Sequence, residues 1–145
     1  MASTNPAATH TVQGRRGLPA WQAVICAAVI AAVANVIVLI IGDAAGASLV
    51  LELNGKPDEI GAADVIIVSV LAPAVGVTAA VLLARWRPGF LRVAQILAAA
   101  VAVVSLVGPL TLETDGGTAT TIAVMHLLVG GIAIAALEAI RRSRG

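Results

Sequence analysis

Three observations predict an all-α, polytopic membrane protein: an up-down-up-down bundle of four transmembrane helices with both termini cytoplasmic. The chain holds four long stretches free of formal charge. Its basic residues gather in alternate connections, and its acids gather in the others. Of 145 residues, 59% are hydrophobic, 12% are charged and only Trp21, Trp86 and Phe90 are aromatic, the balance of a membrane chain. The uncharged stretches are Gly17 to Gly42 (26 residues), Val65 to Ala84 (20), Val93 to Leu112 (20) and Gly116 to Leu137 (22). A helix needs roughly 20 apolar residues to cross about 30 Å of hydrocarbon, so each is long enough. An open sheet at that depth would leave backbone groups unpaired, and the runs lack the alternation of a barrel strand.

Residues 1–17 are polar and aperiodic, which predicts a disordered cytoplasmic tail. A single transmembrane domain follows over 18–140, with spans at about 19–41, 64–84, 93–112 and 118–138, and 141–145 form a short basic tail. Pro19 suits the first turn of the first helix. In the one sizeable connection, Gly42 to Ala63, Leu49, Leu51 and Leu53 alternate with more polar neighbours before the turn dipeptide Asn54-Gly55, so a short strand and turn over the bundle mouth is one reading. Pro57 argues against a return strand. The expectation is instead a helix beginning near Pro57, with Asp58 and Glu59 complementing its macrodipole. RWRPGFLR, Arg85 to Arg92, is a tight turn at Pro88-Gly89 that makes helices two and three adjacent. Glu113 to Gly117 joins helices three and four, and Thr118 is the expected N-cap of the fourth.

Arg15 and Arg16 precede the first span, Arg85, Arg87 and Arg92 separate the second from the third, and Arg141, Arg142 and Arg144 follow the fourth. Basic loops stay inside, so that side is cytoplasmic and the membrane is the plasma membrane. The opposite side carries Asp43, Glu52, Asp58, Glu59, Asp64, Glu113 and Asp115 with a single Lys56. A net charge of +1 conceals this segregation. The basic clusters therefore read as topology signals with affinity for anionic lipid, and no nucleic-acid partner is expected. Arg15-Arg16, the apolar run and Ala45-Gly46-Ala47 imitate a signal peptide, but the apolar core is about twice the usual 7 to 15 residues, which predicts a retained first helix. Cys26 stands alone and reads as a small apolar core residue.

Small residues recur every fourth position in each span: Ala23, Ala27, Ala31 and Asn35; Ala72, Gly76, Ala80 and Ala84; Ala94, Ala98 and Ala102; Gly131, Ala135 and Ala139. Such ladders let membrane helices approach closely, and they indicate which faces turn inward. On those faces lie Asn35, Ser69, Ser105 and His126, all about 6 to 15 Å from the external ends at 1.5 Å per residue, which places them in one candidate polar layer. His126 is the one strongly titratable side chain within the spans. It fits two roles, a neutral ring bonding helices together through Asn35, Ser105 or a carbonyl, and a proton or ligand site. Metal or haem ligation would need a second ligand, and Cys26 lies near the opposite face, so no metal and no cofactor are expected. Pro73 and Pro109 kink helices two and three at or near the layer, each releasing a carbonyl. Gln95 marks the cytoplasmic boundary of helix three.

ANVIVLIIGDAAGAS at Ala34 to Ser48, VLAPAVG at Val70 to Gly76, LRVAQILAAAVAVVSLVGPL at Leu91 to Leu110 and DGGTATTIAVMHLLVGG at Asp115 to Gly131 carry a resemblance. In their order, and in the series Pro109, Asp115, Thr118, Met125-His126, the chain resembles an uncharacterised actinobacterial family of small four-helix integral membrane proteins, a domain of unknown function. The resemblance implies the fold and no activity. With no Walker, Rossmann or zinc-helix motif in the chain, the leading expectation is a non-enzymatic accessory, scaffold or envelope-associated bundle. Its partners would be the lipid bilayer and another membrane protein or a second copy. A small oligomeric transporter or proton-linked channel using the layer around His126 is the alternative, and a quinone- or haem-binding membrane subunit the second.

Overall fold

The computed structural model describes residues 19–53, 56–87, 89–111 and 113–144. The expected tail with Arg15 and Arg16, the turn residues Asn54 and Gly55, and Pro88 lie outside them. In chain order the elements are α1 (Ala20–Ala44), β1 (Val50–Leu53), β2 (Lys56–Glu59), α2 (Ala62–Leu83), α3 (Phe90–Val104), α4 (Val107–Thr111) and α5 (Gly116–Arg144). Among the described residues four helices are long and apolar enough to cross a membrane: α1, α2, the stretch Phe90–Pro109 and α5.

Burial is inverted relative to a protein folded in water. α1 turns Ala23, Ala27, Ala31, Asn35 and Gly42 inward, while Ile25, Val29, Ile37 and Ile40 are each more than half exposed. Large apolar side chains on the outside and small ones at the seams suit a surrounding of hydrocarbon, where helices associate by close approach rather than by hiding from water. Cys26 falls on the outward face and is exposed. That corrects its placement in the core, because the inward register of α1 runs through residues 23, 27 and 31.

α1 packs on both α2 and α5, α3 packs on α5, and α2 and α3 touch sparingly. The adjacency expected for helices two and three holds only at their shared turn, where Ala84 and Leu91 join a buried cluster with Ala23, Val81, Leu137 and Ile140. Away from the turn each is drawn to a different partner. A Cβ on Gly130 of α5 would collide with the Ala102 side chain of α3. The inward line of α5 is therefore Gly130, the half-buried Ala133, and Leu137; Gly131, Ala135 and Ala139, one residue out of register, face outward. The α2 ladder fails in its upper half, where Ala72 and Gly76 are exposed and Val65, Ser69, Pro73 and Val77 take the inward line.

The loop after α1 corrects a second expectation. α1 ends in a Schellman stop: Gly46 has φ +85°, its N–H donates to the Asp43 carbonyl (2.9 Å), and the Ala47 N–H donates to the Gly42 carbonyl (3.0 Å). β1 and β2 then form an antiparallel hairpin in place of a helix beginning at Pro57. The pairing Glu52 with Pro57 alternates with pairs in phase with Leu49 and Ile60, whose N–H···O bond is 2.8 Å. Pro57 thus occupies a non-hydrogen-bonded position, where its missing N–H breaks no rung. α2 begins only at Ala62, and Asp64, not Asp58 or Glu59, supplies the first-turn acid by reaching back to the Gly61 N–H (3.3 Å).

Replacing Gly130 by Val should destabilise the chain by about 1 to 3 kcal/mol through overpacking against Ala102. Gly131→Val, on the outward face, should change stability by less than about 0.5 kcal/mol. Unfolding by SDS titration in mixed micelles measures both; equal losses would refute the register assigned to α5.

Candidate functional site

The four polar-layer residues reach one cleft by different routes. Asn35 and Ser69 are both buried, and the Asn35 Nδ2 donates to Ser69 Oγ at 2.8 Å, joining α1 to α2. Ser105 and His126 are half-buried and bond within their own helices: Ser105 Oγ donates to the Ala102 carbonyl (2.9 Å), and His126 Nδ1 lies 2.8 Å from the Ile122 carbonyl. A carbonyl only accepts, so Nδ1 is the donor in this contact. The expected bond from His126 to Asn35 or Ser105 is absent among these contacts, and the carbonyl it meets belongs to its own helix, so this bond does not join α5 to a neighbour.

Pro73 and Pro109 each stand four residues after a layer serine, in Ser69-Val-Leu-Ala-Pro73 and Ser105-Leu-Val-Gly-Pro109. Proline lacks the N–H that would return to the carbonyl four residues earlier, which is the serine's own. α2 runs on through the buried Pro73, while α3 breaks at Ser105 and Leu106 before α4 resumes. The repeated spacing was visible in the sequence and is the signal by which both cleft walls could have been found.

Because α2 leans on α1 and α3 on α5, the space between them is left open as a cleft of about 810 Å³. All four layer residues line it. Ala72 and Gly76 on one wall and Ala98 and Ala102 on the other widen it, so small residues read as packing ladders serve here as clearance. It extends along α2 from Asp64 to Leu83, roughly 28 Å of helix. Asp58, Glu59 and Asp64 border the hairpin end, and no other carboxylate, lysine or arginine among the described residues lines it. Asn35 is 3% exposed, and its Oδ1 has no hydrogen-bond partner.

Two clusters lie at the ends of the bundle. At the hairpin end, Asp115 is the N-cap of α5: its Oδ1 accepts the Thr118 N–H (3.0 Å), and Oδ2 accepts the Ser48 N–H (3.1 Å) and the Ser48 and Thr118 hydroxyls. This corrects the expected cap. Thr118 sits inside the first turn, fully buried, and its Oγ1 accepts the Leu49 N–H at 2.9 Å, bridging α5 to the loop after α1. The bond accompanies a positive φ of 52° at Leu49. The Ser48 and Thr118 bonds hold the Asp115 carboxyl well below the usual carboxylate range. At the opposite end Arg85, Arg87, Arg92, Arg141, Arg142 and Arg144 are all exposed. Glu138 there pairs with Arg141 (2.8 Å) and Arg142 (2.7 Å) and accepts from Gln95 Nε2 (3.1 Å), tying α3 to α5. Among the described residues no three His, Cys, Asp or Glu side chains gather as a metal site.

A double-mutant cycle between Asn35→Ala and Ser69→Ala, read by SDS unfolding, should give a coupling of about 0.6 kcal/mol and no more than about 1.7; zero coupling would mean the bond is not made. Asp115 has a lowered folded pKa, so its contribution to stability is complete above its unfolded value near 3.9 and is lost as pH falls below that. The thermal stability gap between wild type and Asp115→Asn should therefore be constant from about pH 7 to 5 and narrow below pH 4. A gap independent of pH would overturn this assignment.

No curated protein and no solved structure matches the chain. One family model does, over residues 15–143, which takes in the four candidate spans short of the last residue of α5, the hairpin and every residue of the cleft. The chain belongs to the family of unknown function DUF6069.

Proposed function

We propose that this chain is a non-enzymatic accessory protein of the actinobacterial plasma membrane, with both termini cytoplasmic, that takes a lipid-soluble molecule from the bilayer into the cleft between α2 and α3. The observation that carries this reading is the cleft itself. It is long, apolar, bordered by candidate spans, and lined toward its hairpin end by Asn35, whose buried amide oxygen has no partner among the described residues. Sites for small molecules commonly measure about 300 to 1,000 Å³ and combine an apolar lining with a few polar groups. The exposed arginines collected at one end support the orientation by the positive-inside rule. The transporter or proton-channel alternative draws on the same cleft, but it needs His126 to exchange protons along the layer, and His126 bonds to its own helix instead. A quinone is one lipid-soluble occupant the reading admits. The bilayer is the source of the ligand, and a neighbouring membrane protein or second copy its destination.

Native mass spectrometry of protein gently extracted from its own membrane should show a reproducible small apolar adduct. Gly76→Leu, which fills open space in the cleft wall, should lose that adduct while keeping the fold. A wild-type chain that carries none would sink the reading. Single-cysteine labelling at Ser143 with a membrane-impermeant maleimide should require permeabilisation from the outside; labelling in intact cells would reverse the orientation.

A further inference from the structure

We infer that the cleft selects, among lipid-soluble molecules, those with an uncharged hydroxyl head on a long apolar body. This rests on the binding function just proposed and specifies its ligand. The bonds made at the level of the layer are those from the Asn35 amide N–H to Ser69, the Ser105 hydroxyl to Ala102, and the His126 Nδ1–H to Ile122. The Ser69 hydroxyl and the second Asn35 N–H remain as donors, but the buried side-chain atom left with no bond of any kind among the described residues is an acceptor. Asn35 Oδ1, in a side chain more than nine-tenths buried, has no partner. Pro73 and Pro109 withhold the helical donors from the Ser69 and Ser105 carbonyls. An unsatisfied buried acceptor is costly, and a ligand that brings a donor relieves it, whereas an ether or ketone brings only another acceptor. Among the described residues the charged side chains lining the cleft, Asp58, Glu59 and Asp64, stand at its hairpin end, and the layer residues themselves carry no carboxylate to pair with an ammonium group, so a neutral hydroxyl suits the layer. The shape of the cleft argues for a slender body: it runs roughly 28 Å along α2 at a volume of about 810 Å³, proportions that suit a long, narrow molecule.

The test uses the full chain in phosphatidylcholine nanodiscs and a photoactivatable hexadecanol carrying a diazirine in its chain, with labelled positions mapped by peptide sequencing. The probe should label α2, α3 and α5 along the cleft. Unlabelled farnesol should compete, and farnesyl methyl ether, which has the same body without a donor, should compete at least tenfold more weakly. Asn35→Leu should bring the two competitors to within about twofold of each other, and Gly76→Leu should abolish labelling by occlusion. Equal competition by alcohol and ether at the wild-type cleft would overturn the hydroxyl assignment while leaving the binding function in place. Absence of cleft labelling, or labelling unaffected by Gly76→Leu, would overturn both. The wild-type ratio and Gly76→Leu decide the matter even if Asn35→Leu does not fold.

Discussion

Gly42 has no side chain, and Thr121 occupies the space one would take: a Cβ built on Gly42 would lie 2.5 Å from Thr121 Oγ1. A few residues further along, a Cβ on Gly117 would lie 3.2 Å from the Cα of Ala47. The end of α1 and the start of α5 are thus pressed together through two glycines, one from each helix, and Asp115 clasps the junction through Ser48 and Thr118. Everything else hangs on this pair. α2 packs chiefly on α1 and α3 on α5, so the two outer helices stand on different supports, and the cleft is the distance between those supports.

The forces that hold this arrangement differ from those of a water-soluble core. If hydrocarbon surrounds the helices, burying a leucine between them gains little, because lipid tails are equally apolar. Backbone proximity and interhelical hydrogen bonds then carry the association. The chain supplies the first with Gly42, Gly117 and Gly130, and the second with Asn35 to Ser69 across α1 and α2 and Gln95 to Glu138 across α3 and α5. α3 is the least supported helix, with Leu91 alone fully buried, and a side-chain bond at one end and a glycine contact further along keep it beside α5. Its thin packing and the open cleft have the same origin.

The polar layer sits where these two kinds of contact meet. On the closed side of the bundle Asn35 and Ser69 bond directly; on the open side Ser105 and His126 satisfy themselves locally. Residues of equal depth therefore divide by which neighbour their helix has acquired. The two prolines act on the carbonyls of the same serines, Pro73 from the arginine-rich side and Pro109 from the hairpin side, weakening the backbone ladder at the level where side-chain polarity is concentrated.

Much of this was determined by the sequence alone: four apolar stretches of spanning length, charges sorted to opposite ends, the inward line of α1 from Ala23 to Asn35, and the grouping of Asn35, Ser69, Ser105 and His126, which all line one cleft. These depend on composition and helical period, which are local properties. Other features were decided only by the tertiary structure. Which of Gly130 and Gly131 faces inward depends on where Ala102 arrives, because an all-apolar helix presents no polar face to set its rotation. Pro57 could join a strand because the hairpin register put it at a rung with no bond to lose. Asp115 rather than Thr118 became the cap because Ser48, 67 residues away in the chain, shares its carboxylate. The short turn after α2 implied that α2 and α3 lie together, yet a turn constrains only the ends it joins. The rest of each helix follows its closest packing partner, and in this chain the partners are α1 for one and α5 for the other.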